Sequence, residues 1–162
     1  MNVQDVLGID VGGVIIAASN DNTDTSFFSD NYLNSVSVEG VFEAVAHLIR
    51  VKFGPNAHIV SKCGLRIETK TRSWLAHHDF YDRTGLPPEH LHFVRKREDK
   101  APVCTEVGIT HFVDDRLDVL RHLHDVANRF LFVGHANEIK KFPDVLQQVI
   151  YVQNWQEIVG QI

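Results

Sequence analysis

The sequence predicts an α/β fold of three layers, a central parallel sheet of about five strands with helices on both faces. Three observations carry this. Short apolar runs alternate with longer segments of helical spacing along the 162 residues, and strands separated by helices pair in parallel. Glycine and proline mark the boundaries between those segments. Chemistry-bearing polar residues stand where the apolar runs end, as in Rossmann-like sheets, whose ligands sit at the carboxyl ends of the strands.

Residues 4–9 read as a buried strand through Val6, Leu7 and Ile9, ending on Asp10 with Gly12 and Gly13 just beyond. Residues 17–37, rich in Ser, Asn and Asp, read as a polar loop or flap. Residues 38–52 place Val41, Val45, Leu48 and Ile49 on one helical face, and Gly54-Pro55 stops that helix. A second strand follows at 57–61. Residues 68–84 read as helix with Trp74 and Leu75 inward, closed by Gly85. Residues 91–94 form a third strand, 99–108 a short helix closed by Gly108, and 110–113 a fourth strand ending on Asp114-Asp115. Residues 116–127 read as helix with Leu117, Leu120 and Leu123 inward, and 129–133 as a fifth strand before Gly134. A further strand at 149–152 and an amphipathic turn around Trp155, Ile158 and Val159 complete the chain.

The length suits one domain, 1–162, large enough for a real core. Sixteen basic against 21 acidic residues give a net charge of −5 and a pI near 6.0. That balance argues against generic binding to nucleic acid or anionic membranes. No apolar run approaches the roughly 18 residues that span a bilayer, and the N-terminus lacks the basic and apolar regions of a signal peptide. A cytoplasmic protein is expected, with Cys63 and Cys104 as reduced, semi-buried thiols. The pairs His77-His78, His90/His92 and His122/His124 lack a carboxylate or cysteine at ligand spacing and read as non-ligands.

The fold would gather Asp10, Ser61, Asp114 and Asp115 at one edge, with Lys100 at the start of the helix leading into the fourth strand. Lys96, in the basic run 95–100, is a rival for the place given to Lys100. Crowded carboxylates repel each other, and an all-oxygen set that takes up a divalent cation favours Mg²⁺. A lysine adds fixed positive charge. A serine hydroxyl and free N–H groups after a strand, here around Gly12 and Gly13, suit phosphate oxygens. One carboxylate is then left to attack phosphorus. Asp118, one turn beyond Asp114, reads as an outer charge rather than a ligand.

The segments GIDVGGVI, IVSKCG, the lysine of DKAP and HFVDDRLDVL resemble, in order and placing, the haloacid dehalogenase superfamily of hydrolases. The resemblance covers nearly the whole chain and implies a Mg²⁺-dependent phosphohydrolase acting through an aspartyl-phosphate. Asp10 would be nucleophile and metal ligand, with the Gly12 carbonyl a second ligand. Asp114 and Asp115 would complete the metal site. Ser61 and Lys100 would hold the phosphoryl group, and Lys100 would also steady Asp10. The intervals between motifs leave no room for a large cap, so only the 17–37 flap and the 64–90 segment would lie over the site. The implied partner is a phosphorylated small molecule or macromolecular end, and a second copy of the chain could cover the open site.

One position departs from that family. Its phosphatases usually carry a second aspartate two residues after the nucleophile, as general acid and base, and here that position is Gly12. Either the substrate has a good leaving group, or another residue such as Asp21 or Asp24 substitutes, or the protein is a slow or silent member that binds rather than turns over. Two other folds compete. GIDVGG resembles the first phosphate loop of sugar kinases of the actin-like ATPase fold, and GID-x-G begins nucleases of the ribonuclease-H-like fold, where Asp114, Asp115 and Asp118 could gather Mg²⁺. The first needs a longer chain, and the second needs two antiparallel strands where this sequence has a polar loop and a helix.

Overall fold

The alternation of core-facing residues along each apolar run builds the sheet. In the computed structural model, which describes residues 4–18 and 29–162, the strands are β1 (Leu7–Ile9), β2 (Ala57–Lys62), β3 (Leu91–Val94), β4 (His111–Asp114), β5 (Asn128–Phe132) and β6 (Ile150–Val152). They form one parallel sheet in the order β3-β2-β1-β4-β5-β6, so the run at 149–152 contributes a sixth strand. Parallel strands covered on both faces send alternate side chains to opposite layers. Leu7, Ile9, Ile59, Val113, Phe130 and Phe132 pack into one core, and Val6, Val60, Phe112 and Leu131 into the other.

The first layer holds α1 (Val41–Leu48), α2 (Leu65–His77), α3 (Phe80–Thr84) and α8 (Trp155–Gln161) around Trp74, Phe80 and Trp155. The second holds α4 (Lys100–Val107) and α5 (Leu117–Leu120), with α6 (Ala136–Lys141) and α7 (Pro143–Leu146) against its edge. Gly8 sits on the second face, where a Cβ would lie 2.6 Å from a Phe112 ring carbon. Its missing side chain is the space that ring occupies. No described helix is long and apolar enough to cross a membrane.

Several elements differ from their expected spans for local reasons. The 38–52 helix begins at Val41, and its last turn, Ile49–Phe53, widens to a π-turn that buries Phe53. The 68–84 helix starts at Leu65 and breaks at Asp79, whose φ of 53° ends α2. The break lets Phe80 re-enter the core, its ring centroid 5.5 Å from that of Phe42. The 116–127 helix stops at Leu120, whose carbonyl accepts from Arg129 at 2.8 Å, and turns carry Leu123 and Val126 back to the core. Val133, expected at the end of the fifth strand, lies beyond it with a φ of 63°.

The described part of the 17–37 segment docks on α2. Trp74 Nε1 donates to the Ser35 carbonyl at 3.0 Å, and Lys70 Nζ to the Ser29 carbonyl at 3.1 Å. Asp21 and Asp24 lie outside the described residues.

Candidate active site

Strand register brings the two central carboxylates together. Ile9 pairs with Val113, and the Asp10 N–H donates to the Val113 carbonyl at 3.0 Å, so Asp10 and Asp114 leave adjacent strands side by side. Asp115 follows at once, and oxygen atoms of the three lie within 4.8 Å of one another. This triad can hold a metal ion. Its donors are all hard oxygens, which suits a hard divalent cation. Among the described residues no backbone N–H donates to the Gly12 carbonyl.

Lys100 opens α4 after a 3₁₀ turn, Arg97–Asp99, and its side chain reaches the carboxyl ends of β1 and β4. Its Nζ donates to Asp10 Oδ1 at 3.0 Å and Asp114 Oδ2 at 2.8 Å, and the residue is only 1% exposed. Lys96, its rival in the sequence, is exposed. Burial works against the charge on Lys100, but the two carboxylates outweigh it and hold the ammonium above the ordinary lysine range. Asp114 is fully buried, and its second oxygen accepts the Arg116 N–H at 2.9 Å. Burial, then the charge of Asp10, push the Asp114 carboxyl up against the pull of Lys100. The same two causes push Asp115 up to about 7. One lysine among three carboxylates leaves excess negative charge, which is the condition a divalent cation relieves.

The triad lies at the floor of a cavity of about 390 Å³. Ser61, buried on β2, lines it together with Gly12 and Gly13. The Gly13 N–H turns inward to the Ile16 carbonyl at 2.8 Å. It is therefore engaged within the turn rather than aimed at a phosphate. Asp118 is engaged by Arg97 at 2.8 Å and Arg121 at 2.6 Å. Both cysteines are free and buried, and burial pushes the Cys104 thiol up to about 12.

Cavity residues that escaped the sequence reading include Lys62, Thr71, Arg97, Arg116 and His135. Arg97 lies in the basic run 95–100, between Lys96 and Lys100. His135 follows β5 through a Val-Gly step, and its Nε2 lies 2.8 Å from Asp115 Oδ2. The rule that found Asp10 and Asp114, polar residues just past a strand's carboxyl end, also covers His135 once it is applied to the fifth strand.

No family model matches the chain, and no curated protein does. Among solved structures, DsGPDH of Dunaliella salina is similar, with a TM-score of 0.56 at 11% identity over 96% of this chain. The match takes in 28% of the DsGPDH chain, so this protein spans little more than a quarter of that one. At that identity the likeness is one of fold, and the fold is Rossmann-like α/β.

Proposed function

We propose that this protein is a Mg²⁺-dependent phosphohydrolase acting through an aspartyl-phosphate on Asp10. The observation that carries the reading is the buried Lys100 ammonium bridging Asp10 and Asp114 at the floor of an open cavity. A lysine so placed holds one oxygen of Asp10 and offers fixed positive charge where a phosphoryl group would enter. The motif resemblance to the haloacid dehalogenase superfamily supports the same assignment.

In this mechanism the free oxygen of Asp10 attacks phosphorus. The bond to the leaving oxygen breaks with its electron pair, giving an acyl phosphate on Asp10. Lys100 and Ser61 take the phosphoryl oxygens. Water then attacks the phosphorus, inorganic phosphate leaves, and the Asp10 carboxylate is restored. Asp10, the Gly12 carbonyl, Asp114 and Asp115 would hold Mg²⁺, which supplies Lewis-acid neutralisation of charge on the phosphoryl group. With glycine at position 12, the leaving oxygen lacks the acid usually carried two residues after the nucleophile. The favoured substrates are aryl and acyl phosphates, whose leaving groups depart unprotonated.

The test is hydrolysis of an aryl phosphate with and without Mg²⁺, in wild type and Asp10→Asn. Turnover that needs both Mg²⁺ and Asp10 is expected. Gly12 also favours a second reading, a member that binds a phosphorylated ligand without turnover. Mg²⁺-dependent phosphate binding with no hydrolysis across a series of phosphate esters would select it.

A further inference from the structure

We infer that His135 is a positioning residue for the metal site, fixing Asp115 by donating its Nε2–H to Oδ2 so that the other oxygen faces the cation. This rests on the metal-dependent reading of the triad. Three features of the fold converge on that one oxygen atom.

The first is the hydrogen bond, 2.8 Å between His135 Nε2 and Asp115 Oδ2. The second is the backbone that delivers it. Val133 and Gly134 follow β5 with φ of 63° and 76°. A β-branched residue is a steric outlier there. The turn is nevertheless fastened: the Val133 N–H donates to the Val152 carbonyl at 2.8 Å, and Tyr151 Oη donates to the Val133 carbonyl at 2.6 Å. This left-handed step brings His135 to Asp115 at the end of neighbouring β4. The third feature lies opposite. A Cβ on Gly13 would stand 2.7 Å from Asp115 Oδ2, and Gly13 itself has a φ of 77°. The carboxylate thus lies against bare backbone on one side and meets an imidazole on another.

A carboxylate that holds a cation is ionised and can only accept, so the proton of this 2.8 Å contact belongs on His135 Nε2. Removing such an outer partner of a metal ligand typically costs about 10–100-fold in metal affinity.

The experiment measures Mn²⁺, a paramagnetic substitute for Mg²⁺, binding to the full chain by electron paramagnetic resonance without substrate. His135→Ala is expected to weaken binding about 10–100-fold. His135→Gln, whose amide nitrogen reaches as far along the side chain as Nε2, is expected to recover most of the loss. Should His135→Ala fail to fold, His135→Met, of similar length but with no donor, makes the same comparison with His135→Gln. Asp115→Asn distinguishes the two levels of the argument. If Asp115→Asn loses Mn²⁺ while His135→Ala and His135→Met bind as wild type, the role of His135 is overturned and the metal site stands. If His135→Gln binds no better than His135→Met, the hydrogen-bond role is overturned. If Asp115→Asn binds as tightly as wild type, the metal reading fails and the role of His135 fails with it.

Discussion

Gly12 and Gly13 are neighbours under different constraints. No described residue lies within 4 Å of where a Gly12 Cβ would be, so Gly12→Asp fits the described backbone and places an acid two residues after Asp10. Alkyl-phosphate turnover is expected to rise, with about 10²–10⁴ as the ceiling for general acid–base help. The dependence of rate on leaving-group pKa should flatten, as a graded series of phosphate esters would show. A wild-type series that is already flat would mean another group donates the proton. At Gly13 the left-handed backbone and the Asp115 carboxylate both forbid a side chain. Gly13→Ala should cost about 1–2 kcal/mol from the backbone alone, measured by urea unfolding against Gly12→Ala, which should be near neutral. Lys100 is bound by its partners. Lys100→Met leaves Asp10 and Asp114 crowded without their cation, and breaking such a buried pair costs about 3–5 kcal/mol, again read by urea unfolding. The sequence showed Asp10, Ser61, Asp114 and Asp115 as polar residues at strand ends. It pointed to Lys100 with Lys96 as a rival, and the 3₁₀ turn at Arg97–Asp99 is what turns Lys100 inward.

At the scale of elements, strand ends were legible and helix ends were not. Apolar runs of four to six residues place each strand's carboxyl end within a residue, although β1 begins at Leu7 rather than at residue 4, whereas breaks such as the one at Asp79 answer to a distant partner, here the Phe42 ring that Phe80 must reach. The β2–β3 pair holds a feature only pairing reveals. His58 Nδ1 lies 3.0 Å from His92 Nε2, and the His58 ring stacks on His90 with centroids 4.1 Å apart. Burial, then His90 and His92, lower the His58 pKa from 6.5 to about 4. The folded chain therefore takes up this proton less readily than the unfolded chain, and stability falls as pH drops from 6.5 toward 4. Asp115 acts in the opposite sense. Its folded carboxyl titrates near 7 against an ordinary 3.8, so the strain it adds at high pH is relieved as pH falls through that window. Comparing urea unfolding of wild type and His58→Gln at about pH 7.5 and about pH 5 isolates the histidine term. The variant should lose less stability on acidification, and parallel losses would remove His58 from the explanation.

For the whole molecule, the site follows from strand order. From β1 the chain moves outward to β2 and β3, then returns to place β4 on the other side of β1. The crevice at that reversal is where open α/β sheets bind ligands, and there the ends of β1 and β4 present Asp10 and Asp114. The gathering of Asp10, Asp114 and Asp115 was legible from the sequence because it depends on residue types at strand ends. His135 stood within reach of the same rule, but its contact with Asp115 depends on a left-handed Val133 that nothing in the local sequence announces. The most direct test of the central claim, that Asp10 accepts the phosphoryl group, is ¹⁹F nuclear magnetic resonance of beryllofluoride, a mimic of an aspartyl-phosphate, with Mg²⁺ present. Wild type should show bound resonances that vanish in Asp10→Asn. The same bound resonances in Asp10→Asn would contradict the assignment of Asp10 as nucleophile.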